Sequence, residues 1–285
     1  MLNSLLDQSS YLDQFITGNA FEVLDELPNN FYDVVVTSPP YYKMREYNIP
    51  DVIGNEKNAL TYMLTLTGVF RKCAKKLKKG GSLFIVISDF LDEGRYYHIT
   101  TWLDCHLDSI YNTEDNLKLK RDIIWQKPNA MGGNYGKRSF VMDYEHVLWF
   151  TKGDDYFFRP LYEPLKHPKA RGMKWGGKNP EKYGPDTYSG KEYDASKLEG
   201  RLMRSVWSIP TSSPKGLKHN ATFPVELAER CIQSTCPVGG KVLDPFCGSG
   251  TTAIAALKGG FHWTCIDINS EFIKEARIRL YREIE

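Results

Sequence analysis

Lys241-Val242-Leu243-Asp244-Pro245-Phe246-Cys247-Gly248-Ser249-Gly250-Thr251-Thr252 reads as a strand, a glycine-rich turn and the start of a helix. Gly248 and Gly250 let the backbone bend sharply and come close to a ligand. Asp244 falls at the carboxyl end of its strand, where open α/β sheets bind ligands. The helix that follows Thr251 leads to a second strand at 262–267 that ends in Asp267. An acid there can accept hydrogen bonds from the ribose of an adenosine-containing cofactor. No lysine follows the last glycine, so the turn is not a GxxxxGK[ST] phosphate loop. The third glycine of GxGxxG is also missing, which leaves a dinucleotide site and a ligand-free turn as the alternatives.

The same alternation runs outward through the chain. Strands are predicted at 14–17, 33–36, 82–88, 121–126 and 145–151, and helices at 20–27, 58–78, 96–112, 224–235, 250–258 and 270–283. Lys78-Lys79-Gly80-Gly81 reads as the capped end of the second helix. Together these elements predict an α/β fold with a largely parallel sheet covered by helices. Residues 152–205 break the rhythm: they hold 12 Lys/Arg against 8 Asp/Glu, with interleaved Tyr156, Phe157, Phe158, Trp175, Tyr183 and Tyr188. They read as a loop-rich insert. The expected division is therefore 1–151, an insert at 152–205, and 206–285.

A chain of 285 residues buries a core without covalent staples, and its 41% hydrophobic and 25% charged residues are those of a globular protein. The net charge of +2 neither demands nor excludes nucleic acid, so any basic face must be local. The start MLNSLLDQSS lacks a basic n-region and a long apolar core, and no apolar run is long enough to cross a bilayer. The six cysteines form no CxxC pair, so free thiols in a reducing cytoplasm are expected, with no metal and no membrane.

Asp33-Val34-Val35-Val36-Thr37-Ser38-Pro39-Pro40-Tyr41-Tyr42 ends a second apolar strand in a rigid corner. Two prolines fix φ and remove two backbone donors, so the corner presents carbonyl acceptors without competing N–H groups. Ser38 and a proline carbonyl can grip an NH2 group while the Tyr41 ring stacks on a base, with Tyr42 as a second aromatic neighbour. An exocyclic base amine is a poor nucleophile because its lone pair is delocalised into the ring. Two acceptors on its hydrogens favour a pyramidal nitrogen and aim the lone pair at a methyl donor. An ordinary Pro-Pro turn is the alternative.

The two motifs together resemble the amino-methylating (N4-cytosine / N6-adenine) DNA methyltransferases, in the permuted order where SPPY precedes DPFCGSG. Gly18-Asn19-Ala20 followed by Phe21–Pro28 resembles the family's GDA segment beside the cofactor adenine, with Asn19 in place of the common acid. Lys79-Gly80-Gly81-Ser82-Leu83, 122–129, 143–152, 205–210 and 218–224 are similar to further family segments. The resemblance implies a Rossmann-like S-adenosylmethionine-dependent methyltransferase sheet with helices on both faces, circularly permuted, carrying a target-recognition insert. It implies Ser38, Pro39, Pro40 and Tyr41 as catalytic. Asp244, Phe246 and Gly248 would line the methionine side, Asp267 would hold the ribose, and Phe223 would pack near the cofactor. Asn19, Ala20, Pro245, Gly250 and Thr251 complete the cofactor set.

Ser38 is the informative departure, because family members acting on adenine mostly carry Asp there and cytosine-N4 enzymes mostly Ser. The reading is a cytosine-N4 enzyme, with adenine N6 as the alternative. Double-stranded DNA is the implied substrate, its base flipped out at a cost of roughly a few kcal/mol. A cognate restriction endonuclease is an implied partner, in a prokaryotic cell or phage-infected host, with the enzyme a monomer or homodimer. Lys43, Arg45, Arg171, Lys174, Lys178, Arg201 and Arg204 are candidate DNA contacts. His146 and His219 read as structural. RNA, a protein glutamine, or a non-catalytic DNA-binding module remain the other classes. The absence of a Pro-Cys dipeptide argues against C5-cytosine chemistry, and the absence of HxE with PCxxC argues against a zinc deaminase.

Overall fold

The computed structural model describes residues 8–43, 52–108, 117–130, 140–164, 200–211 and 222–284. The chain divides into two compact units, Met1–Arg159 with Ser205–Glu285, and Pro160–Arg204.

The first unit is built on eight strands. They are β1 (Gln14–Thr17), β2 (Tyr32–Thr37), β3 (Leu77–Ile87), β6 (Leu117–Gln126), β7 (Tyr144–Lys152), β10 (Val206–Ser208), β11 (Lys241–Asp244) and β12 (His262–Asp267). Their order across the sheet is β1-β12-β11-β2-β3-β7-β6-β10. The five strands from β1 to β3 run parallel, as does β10 beside β6, while β7 runs antiparallel to both β3 and β6. A hairpin of β4 (Phe90–Asp92) and β5 (Arg95–Tyr97) stands apart from the sheet. The helices are α1 (Ala20–Glu26), α2 (Ala59–Lys76), α3 (Ile99–Leu107), α4 (Val225–Thr235), α5 (Thr251–Lys258) and α6 (Ser270–Ile284).

Every residue of β2 is buried, as expected for a central parallel strand covered on both faces. Val35, Leu83, Ile85 and Ile87 point into a core shared with Leu24 of α1, Leu66 and Phe70 of α2 and Leu103 of α3. Val34, Val36 and Val86 alternate to the other face, which α4, α5 and α6 cover. Each fully buried Leu or Phe side chain contributes about 2 kcal/mol to this packing.

The end of α2 differs from the sequence expectation. The helix stops at Leu77, and Lys78–Gly81 form an irregularity inside β3. Gly80 takes φ +79° there, and a Cβ on it would lie 2.4 Å from the Asp155 carbonyl. The lysine that meets the end of α2 is Lys152, while Lys76 donates to the Leu27 carbonyl at the end of α1. The Lys152 ammonium donates to the carbonyls of Ala74 and Leu77 at 2.8 and 3.0 Å. The β4–β5 hairpin occupies the start of the helix expected at 96–112, because Glu93 and Gly94 both take positive φ and turn the chain back. Residues 109–112 lie outside the described residues.

The first unit also runs through Arg159, past the division expected at 152. Tyr156 and Phe158 pack on Trp149, and the Arg159 amide donates to Ser234. In the second unit β8 (Tyr162–Glu163) pairs with β9 (Arg201–Leu202), and Arg201 forks onto Glu163 at 2.7 and 3.1 Å. Arg45, His167, Arg171, Lys174, Trp175, Lys178, Tyr183, Tyr188 and His219 lie outside the described residues.

Candidate active site

Parallel strands deliver their carboxyl ends to one edge of the sheet, where the chain places Gly18-Asn19, Ser38, Asp244 and Asp267. The proline corner and the glycine turn, far apart in sequence, become neighbours there. Val34 and Val35 of β2 pair with Val242 and Leu243 of β11, and the Thr252 hydroxyl stands 3.3 Å from the Val36 carbonyl.

The glycine turn is held from several sides. The Phe246 amide donates to Asp244 at 3.0 Å, and the Thr252 hydroxyl donates to the other carboxylate oxygen at 2.6 Å. Burial pushes the Asp244 pKa up to about 6, against these donors and the nearby Thr37 hydroxyl. Gly248 and Gly250 take φ of +49° and +79°, and a Cβ on Gly250 would lie 2.9 Å from that of Ala276. The Arg279 guanidinium donates to the Ser249 and Thr251 hydroxyls, both at 2.9 Å. Pro245 and Thr251 are buried, and Phe246 is half-buried. Asp267 receives the Gly248 and Asn269 amides at 2.8 and 2.9 Å, one on each oxygen. Burial raises its pKa, and those two amides oppose the rise. The Gly18 amide reaches the Asp267 carbonyl at 3.0 Å, and a Cβ on Gly18 would meet Val23 at 2.6 Å. Asn19 caps α1 by accepting the Phe21 amide at 2.9 Å. Ala20 is buried, and Phe223 packs at the entry to α4.

The proline corner is similarly braced. The Tyr62 hydroxyl of α2 donates to the Pro40 carbonyl at 2.9 Å, so that acceptor is already engaged. Among the described residues no donor engages the Pro39 carbonyl, and Ser38 is half-buried beside it. The corner therefore presents the Pro39 carbonyl as an acceptor, while the Ser38 side chain makes a hydrogen bond with that of Tyr41. Tyr41 donates to Glu145 at 2.7 Å, and burial drives its pKa well above the ordinary phenol value. Tyr42 is not an exposed aromatic neighbour. Its ring is buried between Tyr62 and Phe90, at centroid distances of 5.3 and 5.2 Å. Lys43 forms a half-exposed ion pair with Asp92 at 2.9 Å.

Sequence reasoning passed over Tyr62, Thr252, Arg279, Lys127 and Glu145 as site residues. Glu145 stands opposite Trp125 in the β6–β7 ladder and forms an ion pair with Lys127. His146, next along β7, pairs with Asp122 at 2.9 Å. Burial opposes its charge, yet Asp122 prevails and its pKa is raised. Tyr62, Arg279, Lys127 and Glu145 carry no local signal, since each acquires its role from a partner well separated in the chain, whereas Thr252 acts on Asp244 within the glycine-turn motif itself.

Residues 32–277 match the family described as DNA methylase. The chain belongs to the DNA methylase family. This DNA methylase is 29% identical to the type II methyltransferase M.SmaI of Serratia marcescens, over 94% of this chain and 91% of the relative. It is 28% identical to M.Cfr9I of Citrobacter freundii, over 93% and 87% of the two chains. Among solved structures it resembles the DNA modification methylase TTHA0409 of Thermus thermophilus, determined in complex with S-adenosyl-L-methionine. That likeness is 25% in sequence with a TM-score of 0.59, over 95% of both chains. The cytosine-N4-specific PvuII DNA methyltransferase shares the fold at 19% identity, with a TM-score of 0.67 over 93% of this chain and 85% of that one. The fold of this DNA methylase is accordingly the Rossmann-like methyltransferase sheet.

Proposed function

We propose that this DNA methylase transfers a methyl group from S-adenosylmethionine to N4 of a flipped-out cytosine in duplex DNA, as the modification partner of a restriction endonuclease. The observation that carries the reading is the proline corner, with Ser38 and the Pro39 carbonyl, at the end of the strand beside the Asp244 glycine turn. The residues present fit the cofactor. Two glycines at positive φ remove side chains from the turn, and Asp267 keeps lone pairs beyond the two amides it accepts. Asp267 would hold the ribose, Asn19 and Ala20 would border the adenine, and Asp244, Pro245, Phe246, Gly248, Gly250, Thr251 and Phe223 would line the remainder. When bound, the cofactor supplies an electrophilic methyl group on a sulfonium.

The chain's own residues supply alignment. Ser38 and Pro39 accept the two amine hydrogens, draw the nitrogen toward a pyramidal geometry and turn its lone pair to the turn side. The Tyr41 ring supports the base. Such alignment is worth several kcal/mol, up to roughly 7–11 in ideal cases. The amine proton would leave to solvent, since serine is a poor base.

The serine at position 38 supports cytosine. The pairing of the first strand, β1, with the last, β12, supports a permuted sheet order. The basic, aromatic-rich stretch 152–205 is assigned to reading the DNA sequence.

Nucleoside analysis of duplex DNA treated with the protein tests the reading. N4-methylcytosine is expected, and N6-methyladenine alone would overturn the choice of base. Ser38→Ala is expected to abolish transfer while cofactor binding persists.

A further inference from the structure

Tyr41 sits at the end of a charged relay that spans three strands. Its hydroxyl donates to one Glu145 oxygen at 2.7 Å, with a longer approach of 3.5 Å to the Val86 carbonyl of β3. The other Glu145 oxygen is held by the Lys127 ammonium, and both partners of that ion pair are largely buried, at 18% and 15% side-chain exposure. Lys127 is itself fixed. Its ammonium lies 4.7 Å from the Trp125 ring, its amide donates to the Asp143 carbonyl, and the Trp125 indole donates to Ile209 at 2.8 Å. On its opposite side the corner is tied to α2 through Tyr62 and Pro40.

We infer that Glu145, oriented by Lys127, is the positioning residue that sets the tilt of the Tyr41 ring, and hence of the base resting on it, relative to Ser38 and Pro39. This rests on the methyl-transfer reading above. A tyrosine ring at a loop corner can rotate about two torsions, and a charge-assisted hydrogen bond at its far end restrains both. The carboxylate suits the task because one oxygen can accept from the phenol while the other accepts from the ammonium. Pairing with the cation offsets the cost of placing a carboxylate in this partly buried setting. Without the restraint the ring would swing, and the target amine would lose its line to the methyl donor.

The experiment is a double-mutant cycle on methyl transfer to duplex DNA, with cofactor affinity and thermal stability measured on every variant. Tyr41→Phe keeps the ring and removes the donor, Glu145→Ala removes the acceptor, and Glu145→Gln keeps an acceptor without the charge. Each of the first two is expected to lower kcat about tenfold, the loss of one such hydrogen bond, with unchanged cofactor affinity. Glu145→Gln should recover part of that loss. In the Tyr41→Phe background Glu145→Ala should add nothing further.

A rate for Glu145→Ala equal to wild type would overturn the inference. So would a full additional loss in the Tyr41→Phe background, which would mark Glu145 as a strand-packing residue only. A wild-type protein that transfers no methyl to DNA would sink the parent reading instead, a separate outcome.

Discussion

Asp244 is the residue whose chemistry the fold alters most plainly. Its carboxyl is 1% exposed, and burial lifts its pKa from an ordinary 3.8 to about 6. The folded protein therefore holds this proton more tightly than the unfolded chain. The resulting stability is fully present below about pH 4 and is lost as the pH rises through about 6, a difference of about 3 kcal/mol. We expect Asp244→Asn to remove that dependence. Urea denaturation of the ligand-free protein at about pH 5 and about pH 7.5 would show it, as wild type loses more stability than the variant on going to the higher pH. An identical pH response in both proteins would mean that the carboxyl titrates normally. The aspartate was recognisable in the sequence from its place at a strand end. Its raised pKa was not, because that follows from the removal of water, with Asp267 adding to the rise and Thr252, Thr37 and the Phe246 amide opposing it.

Among the elements, β3 shows how local pattern and tertiary packing divide the work. Lys78-Lys79-Gly80-Gly81 after an amphipathic helix has the local chemistry of a helix cap. The structure instead uses Gly80 for a turn within the strand, pressed against Asp155, which belongs to the connection after β7. Gly80→Ala would combine a left-handed backbone with a Cβ 2.4 Å from a carbonyl oxygen. It should cost about 2–4 kcal/mol, read as a lower urea midpoint at unchanged slope. Loss of less than about 0.5 kcal/mol would show that Asp155 moves aside freely. Strands β1, β11 and β12 match the ranges expected from their apolar runs. Burial of β11 and β12 on both faces makes their signal continuous and hence readable, whereas β1 is an edge strand with Phe15 as its buried residue. The β4–β5 hairpin is three residues to a strand and was hidden by its brevity.

For the whole molecule, the spread of the site over β1, β2, β11 and β12 couples ligand binding to global stability. S-adenosylmethionine at about a hundred times its dissociation constant should add about 2.7 kcal/mol to unfolding. For a chain of this size that raises the melting temperature by several degrees, on the order of 5–10 °C. Ser38→Ala should keep the shift and lose methyl transfer, whereas Asp267→Ala should lose most of the shift. A Ser38→Ala protein without the shift would place the serine in cofactor binding rather than in the grip on the amine. Differential scanning fluorimetry beside a labelled-methyl assay separates these outcomes.

What the sequence determined by itself was everything governed by short-range sterics and by continuous apolar runs. The strand–glycine turn–helix, the rigid Ser-Pro-Pro-Tyr corner, the acids at strand ends and the α/β class all follow from neighbours along the chain. Only the tertiary structure decided which strands lie side by side and in which direction, with β7 reversed between β3 and β6. It also decided that Tyr62 occupies the Pro40 carbonyl, that Tyr42 is core, and that Glu145 meets Tyr41. The reason is physical. A hydrogen bond between residues 104 positions apart in the chain, such as that from Tyr41 to Glu145, exists only after the sheet register has been set, and register is a property of paired strands rather than of any one segment.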